Sequence, residues 1–202
     1  MLYKYHINQT TLKILGLFRS NYKTSFYLRE IARQIQVDAK AVRLQLNRLE
    51  KANIITSIQK GKNREYTLNL GNSLTLYHLL LAEAFTTVEY LNRNFEIKKL
   101  VSETTENLGK TAMLFGSFAK ENMTQESDID ILIIDDKKPD LSVFKEVGSL
   151  LSREISIKCM SEEQFSNGLV NNDPLILEVA ANHIILKGID NVCNMLWRYY
   201  AK

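Results

Sequence analysis

The chain is expected to have a mixed fold, α+β or α/β, built as two domains joined by a long helix. Three observations predict this. Charge is divided unevenly: residues 1–72 carry 13 Lys/Arg and 4 Asp/Glu, residues 73–202 carry 13 and 19, and the overall +3 hides the contrast. The N-terminal third shows apolar residues at helical spacing up to about Asn53, followed by two strand-like runs around a Lys-Gly-Lys turn. The C-terminal half interleaves short apolar runs with amphipathic stretches, the pattern of strands alternating with helices. The expected boundaries are 1–71, 72–95 and 96–202.

In the first segment, Thr10 to Phe18 places Leu12, Ile14, Leu15 and Phe18 on one helical face, with Thr10 or Thr11 as cap. Asn21 to Ser25 breaks that helix. Tyr27 to Ile35 is a second amphipathic helix with Leu28, Ile31, Ala32 and Ile35 inward. After a tight turn at Gln36-Val37, Asp38 caps a third helix, Ala39 to Ala52, whose inner face is Val42, Leu46 and Leu49. Asn53 tolerates the left-handed conformation that ends helices. Ile54 to Ile58 and Arg64 to Leu70 then form a hairpin around Gln59 to Asn63.

Three helices followed by a hairpin resemble the winged helix-turn-helix family, with "VRLQLNRLEKANII" as the third helix and "KGKNREYTL" as the wing. The resemblance implies that the third helix enters the major groove of double-stranded DNA. It assigns base or phosphate contacts to Lys40, Arg43 and Gln45, and phosphate contacts to Arg48, Lys60, Lys62 and Arg64. The basic excess of this segment favours a polyanionic partner.

From Ser73 a long helix carries Leu74, Tyr77, Leu81, Ala84, Val88, Leu91 and Phe95 at alternating spacings of three and four. Helix pairing in a homodimer explains such a seam, as does packing on both domains; the dimer is the preferred reading. Ile97 to Leu108 forms one more helix, ended by Gly109-Lys110.

The chemistry concentrates in Leu114 to Asp130, LFGSFAKENMTQESDID. An apolar strand ends in Gly116-Ser117; ten residues later Asp128-Ile129-Asp130 opens a second strand running to Ile134. Alternation puts both aspartates on one strand face. Two adjacent carboxylates repel one another, and a hard divalent cation such as Mg²⁺ relieves that repulsion. Glycine lets backbone approach a ligand closely, and backbone N–H groups after a strand can cradle phosphate. After a polar loop at Asp135 to Asp140, Leu141 to Leu151 is amphipathic and helical. Glu154 to Met160 alternates strictly, with Ile155, Ile157 and Cys159 towards the core and Glu154, Ser156 and Lys158 towards the site. Ser161 and Asp173-Pro174 open two further helices, and Val192 to Tyr200 is a terminal one.

Gly116-Ser117, ten residues and Asp128-x-Asp130 together resemble the signature of the polymerase-β-like nucleotidyltransferase superfamily in its minimal branch, from about Ile97 onwards. That resemblance implies a small mixed-sheet nucleotidyltransferase fold. It implies an enzyme moving a nucleoside monophosphate from a nucleoside triphosphate to an acceptor hydroxyl. Gly116 and Ser117 would hold the phosphates with Lys120 neutralising charge, and Asp128 and Asp130 would bind Mg²⁺. Active members carry a third aspartate on the strand that here reads EISIKCM, and Ser156 occupies its position. Glu154 is the nearest carboxylate on the same face. Some relatives are antitoxins that modify a partner toxin protein. A regulator whose degenerate site only senses nucleotide is the alternative.

Nothing apolar approaches the roughly 18 residues a membrane span needs, and residues 1–10 lack the apolar stretch of a signal peptide. Cys159 and Cys193 both sit in apolar surroundings and are expected to be reduced core residues. The expected compartment is therefore the cytoplasm.

Overall fold

The computed structural model describes residues 7–137 and 139–201. It divides into two compact units: one holds the described residues up to Phe85 with the chain end from Tyr200, the other Thr86–Tyr199.

The first unit opens with α1 (Gln9–Gly16), capped by Asn8, whose side chain accepts from the Thr11 amide. Asn8 therefore takes the capping role expected of Thr10 or Thr11. The short strand β1 (Ser25–Tyr27) follows, then α2 (Leu28–Ile35) and α3 (Ala39–Lys51). Asp38 caps α3 as its side chain predicts, accepting from the Lys40 amide at 2.8 Å. Asn53, at φ 59, turns the chain left-handed after the helix. Strands β2 (Ile55–Lys60) and β3 (Asn63–Leu68) form a hairpin with Lys60 opposite Asn63. Gly61 at φ +60 makes this two-residue turn possible. Pairing of β1 with β3 completes an antiparallel sheet in the order β1-β3-β2. Ile14, Leu15, Phe18, Ile31, Leu46 and Leu49 are fully buried.

Gln45 is a correction. It is 95% buried, because it follows Val42 by three residues and precedes Leu49 by four, which is the inner face of α3. Its amide oxygen accepts from the Thr11 hydroxyl at 3.2 Å. It is not part of an outward, DNA-facing surface.

Helix α4 (Ser73–Arg93) contains the division between the units, which falls between Phe85 and Thr86. In its first half Leu79, Ala82 and Glu83 are buried. Glu83 accepts from Arg19 at 3.0 Å, so the buried carboxylate has a cationic partner. Leu74, Tyr77, Leu81 and Val88 are exposed along the same helix.

The second unit continues through α5 (Phe95–Thr104) and a 3₁₀ turn (Thr105–Asn107) to the first strand of its sheet, β4 (Thr111–Phe115). Then come the four-residue helix α6 (Gly116–Ala119), β5 (Ile129–Ile134), α7 (Ser142–Leu151) and β6 (Ile155–Met160). The chain finishes with α8 (Glu162–Val170), α9 (Pro174–Ala181), β7 (Ile184–Lys187) and α10 (Ile189–Tyr200). The sheet order is β6-β5-β4-β7. β5 runs antiparallel to β4 and parallel to β6, so the sheet is mixed.

One sheet face packs Ala112, Leu114, Ile129, Ile131 and Ile133 against Tyr90, Leu100, Phe144 and Val147 of the neighbouring helices. β6 is an edge strand. Ile155 and Ile157 pack against that core. Farther along, Cys159 is exposed, which corrects its expected burial; Cys193 is buried. α10 carries the single tryptophan, Trp197, half-buried. No described helix is long and apolar enough to cross a membrane.

Ile131 lies at the centre of this core with no exposed surface. Replacing it with alanine is expected to cost about 2–5 kcal/mol, read as a shift in the urea unfolding midpoint of the second unit.

Candidate active site

The site is built where β4 ends and β5 begins. Register pairs Phe115 with Asp130 across the antiparallel ladder, so the turn that follows Phe115 meets the start of β5. Gly116 takes φ +70, and a Cβ placed on it would lie 2.5 Å from Asp130 Oδ2. Only a residue without a side chain lets the carboxylate sit against this backbone. α6 starts here and is held from below: the Tyr90 hydroxyl donates to the Phe118 carbonyl at 2.9 Å. Burial pushes the Tyr90 phenol above its ordinary value, so it stays a neutral donor. Ser117 is half-buried at the start of the helix.

Asp130 alternates with the fully buried Ile129 and Ile131 and therefore points to the opposite sheet face. It is half-buried; Asp128, just before the strand, is exposed. Burial raises the Asp130 pKa above the usual carboxylate value; a hydrogen bond from the Ser156 side chain opposes the shift. The negative charges of Asp128 and Glu178 add to the rise, and Lys158 opposes it. Ser156 pairs directly with Asp130 in the parallel β5–β6 ladder, so its hydroxyl sits beside the carboxylate.

Glu154 falls one step before the Ile129–Ile155 register pair. It precedes β6, is exposed, and lines an open groove of about 420 Å³ with Phe144, Gly148 and Ser152. Its carbonyl accepts from the Ile129 amide at 2.9 Å. The carboxylate that sequence spacing missed is Glu178, on α9, which accepts from Lys120 Nζ at 2.7 Å. Fifty-eight residues separate that pair, and nothing local in the sequence joins them.

Arg153 was also missed. Its guanidinium donates to the carbonyls of Thr124, Gln125 and Ser127 in the loop leading to Asp128. Among the described residues no group of three or more His, Cys, Asp or Glu side chains is arranged to hold a metal ion. Two carboxylates alone suit a cation that completes its octahedron with phosphate oxygens and water, which is how Mg²⁺ is commonly held. The hard oxygen donors of Asp128 and Asp130, the latter set against the bare backbone of Gly116, fit that role.

With this geometry in view, the family model described as "Polymerase beta, Nucleotidyltransferase" matches residues 87–191, just over half of the chain. The chain belongs to the polymerase β nucleotidyltransferase family. No curated protein and no solved structure among those compared matches it. The family match spans the last third of α4, the whole four-stranded sheet and the start of α10. It thus encloses Gly116, Ser117, Lys120, Asp128, Asp130 and Ser156 in one nucleotidyltransferase domain.

In the first unit Lys40, Arg43, Lys60, Lys62 and Arg64 are exposed and Arg48 is half-buried. Arg64 pairs with Glu50 at 3.2 Å, and Lys60 pairs with Glu65.

The Asp130 shift has a thermodynamic sign. Its folded-state pKa lies above the unfolded value. The stability it contributes is complete below about pH 3.9 and is lost as pH rises through the folded value. Asp130→Asn is therefore expected to unfold at higher temperature than the parent at pH 7 in EDTA. That gap should close as the pH falls towards about 4, measured by thermal denaturation.

Proposed function

We propose that the chain is a Mg²⁺-dependent nucleotidyltransferase that moves a nucleoside monophosphate from a nucleoside triphosphate to an acceptor hydroxyl. The observation that carries this reading is the seating of Asp130 against Gly116, with Asp128 at the mouth of the same strand. In the reaction the hydroxyl oxygen bonds to the α-phosphorus. The α–β phosphoanhydride bond breaks, pyrophosphate leaves and the hydroxyl proton is lost. Asp128 and Asp130 would hold a Mg²⁺ ion, which would neutralise phosphate charge and lower the pKa of the acceptor hydroxyl. Gly116 and Ser117 receive the triphosphate, and Lys120 exchanges Glu178 for a phosphate oxygen. A hydroxyl of a partner toxin protein is one acceptor class that the sequence resemblance offers.

A second reading has its own support. Ser156 pairs with Asp130 where active relatives place a third carboxylate, and serine is not a proton acceptor at neutral pH. A positioned base contributes about 10²–10⁴-fold, so its loss would leave a site that binds and senses nucleotide. Incubation with Mg²⁺ and labelled ATP, CTP, GTP or UTP decides between the two. Transferase function predicts label transfer that falls at least about 100-fold in Asp128→Ala; nucleotide binding without transfer to any acceptor supports the sensor.

The N-terminal unit is proposed to be a winged helix that binds double-stranded DNA. The element order α1-β1-α2-α3-β2-β3 and the exposed Lys40, Arg43, Lys60, Lys62 and Arg64 support this. Gln45, buried, has no part in it. The exposed Leu74, Tyr77, Leu81 and Val88 on α4 and Phe95 on α5 support a homodimer that reads two half-sites in the cytoplasm. DNA affinity is expected to fall steeply with salt, with a shallower slope for Arg43→Ala plus Lys62→Ala in gel shifts. Sedimentation at micromolar concentration is expected to give about twice the 23.3 kDa chain mass. A salt-insensitive shift, or a monomer, would count against the corresponding part.

A further inference from the structure

The loop between α6 and β5 contains no helix or strand from Asn122 to Asp128, and most of it is exposed. Its internal bonds are few. Ser127 Oγ accepts from the Thr124 amide at 2.8 Å, and the Ser127 amide donates to the Thr124 carbonyl at 3.3 Å. Yet the loop must deliver Asp128 accurately, because the strand fixes Asp130 alone. Something outside the loop has to hold it.

Arg153 does so from the opposite strand connection. Nη1 donates to the carbonyl of Thr124 at 2.8 Å, of Gln125 at 2.5 Å and of Ser127 at 3.4 Å. Its other edge faces Glu96 on α5, with Nε 3.2 Å from one carboxylate oxygen and Nη2 3.5 Å from the other. The Cζ atom lies 5.4 Å from the centroid of the Phe118 ring, on α6. Its side chain is only 14% exposed, whereas Glu96 is 41% exposed. The backbone is fixed as well: α7 ends at Ser152 in a left-handed turn, and the Arg153 amide donates to the Gly148 carbonyl at 2.9 Å.

One planar group therefore ties together the loop before Asp128, the helix after Gly116 and the start of the strand that carries Ser156. A lysine cannot copy this. It is a point charge with rotating donors, and it lacks the fork that grips carbonyls on one edge and a carboxylate on the other.

We propose that Arg153 is a positioning residue of the nucleotidyltransferase site, setting Asp128 beside Asp130 through the Thr124–Ser127 carbonyls. The proposal rests on the reading of those aspartates as a Mg²⁺-holding pair. Arg153 touches no reacting atom. Its effect passes through the geometry of the loop, as outer partners act on metal ligands, typically worth 10–100-fold in metal affinity.

The test uses the full chain, with Mn²⁺ as the ion and inorganic triphosphate as the companion ligand, which supplies phosphates without committing to a base. Free Mn²⁺ is measured by electron paramagnetic resonance, and thermal melting reports folding. Arg153→Lys is expected to weaken Mn²⁺ binding about tenfold. Glu96→Gln, which loosens the same guanidinium from its far edge, should weaken it in the same direction by less. It also carries the test should Arg153→Lys fail to fold. A purely structural arginine would lower the melting temperature and leave the Mn²⁺ affinity of the folded fraction unchanged; that result in both variants overturns the proposal. Parent protein that binds no Mn²⁺ overturns the metal-pair reading and this proposal with it. Parent binding with unchanged variants overturns this proposal alone.

Discussion

The contact between the Asp130 carboxylate and the backbone of Gly116 is the constraint on which the rest of the site depends. The antiparallel register of β4 and β5 brings the two residues together. The positive φ of Gly116 turns the chain away just as the carboxylate arrives. Neither condition is cheap. The carboxylate is half-buried and adjacent to a second acid, so its ionised form is disfavoured until something cationic answers it. A fold selected for stability alone would put an apolar or neutral residue there. Bracing around the contact is correspondingly dense, with Tyr90 under α6 and Arg153 across the loop.

Local charge balance explains the other choices at the site. Lys120 is paired with Glu178, so the pair is neutral and both groups keep a hydrogen-bond partner. Ser156 in place of a carboxylate keeps a third negative charge away from Asp130 and supplies a hydrogen bond instead. The consequence is a site with less electrostatic strain than one bearing three acids, and with no proton acceptor on β6 beside Asp130.

Much of this was legible in the sequence, and the failures are instructive. Apolar runs announced β4 and β5, and strict alternation announced β6. The Gly-Ser and Asp-x-Asp pairs stood out because their residue types have few other uses at that spacing. The two shortest strands, β1 and β7, were missed: three or four residues are too few to display a period. Gln45 was expected on the outward part of α3, whereas its spacing from Val42 and Leu49 puts it on the inner face. Cys159 was judged by alternation, although β6 is an edge strand and only its first half packs against the core. Arg153 and Glu178 were invisible as partners. Each meets groups tens of residues away, and neither differs locally from a solvated surface charge.

The placement of Trp197 on α10 has an optical corollary. As the chain's single indole, it belongs to the unit that contains the nucleotidyltransferase domain. Emission excited at its absorption edge therefore arises in that half of the polypeptide. The helices and hairpin that precede α4 are accessible to tyrosine signals, with Tyr22 and Tyr66 buried among them.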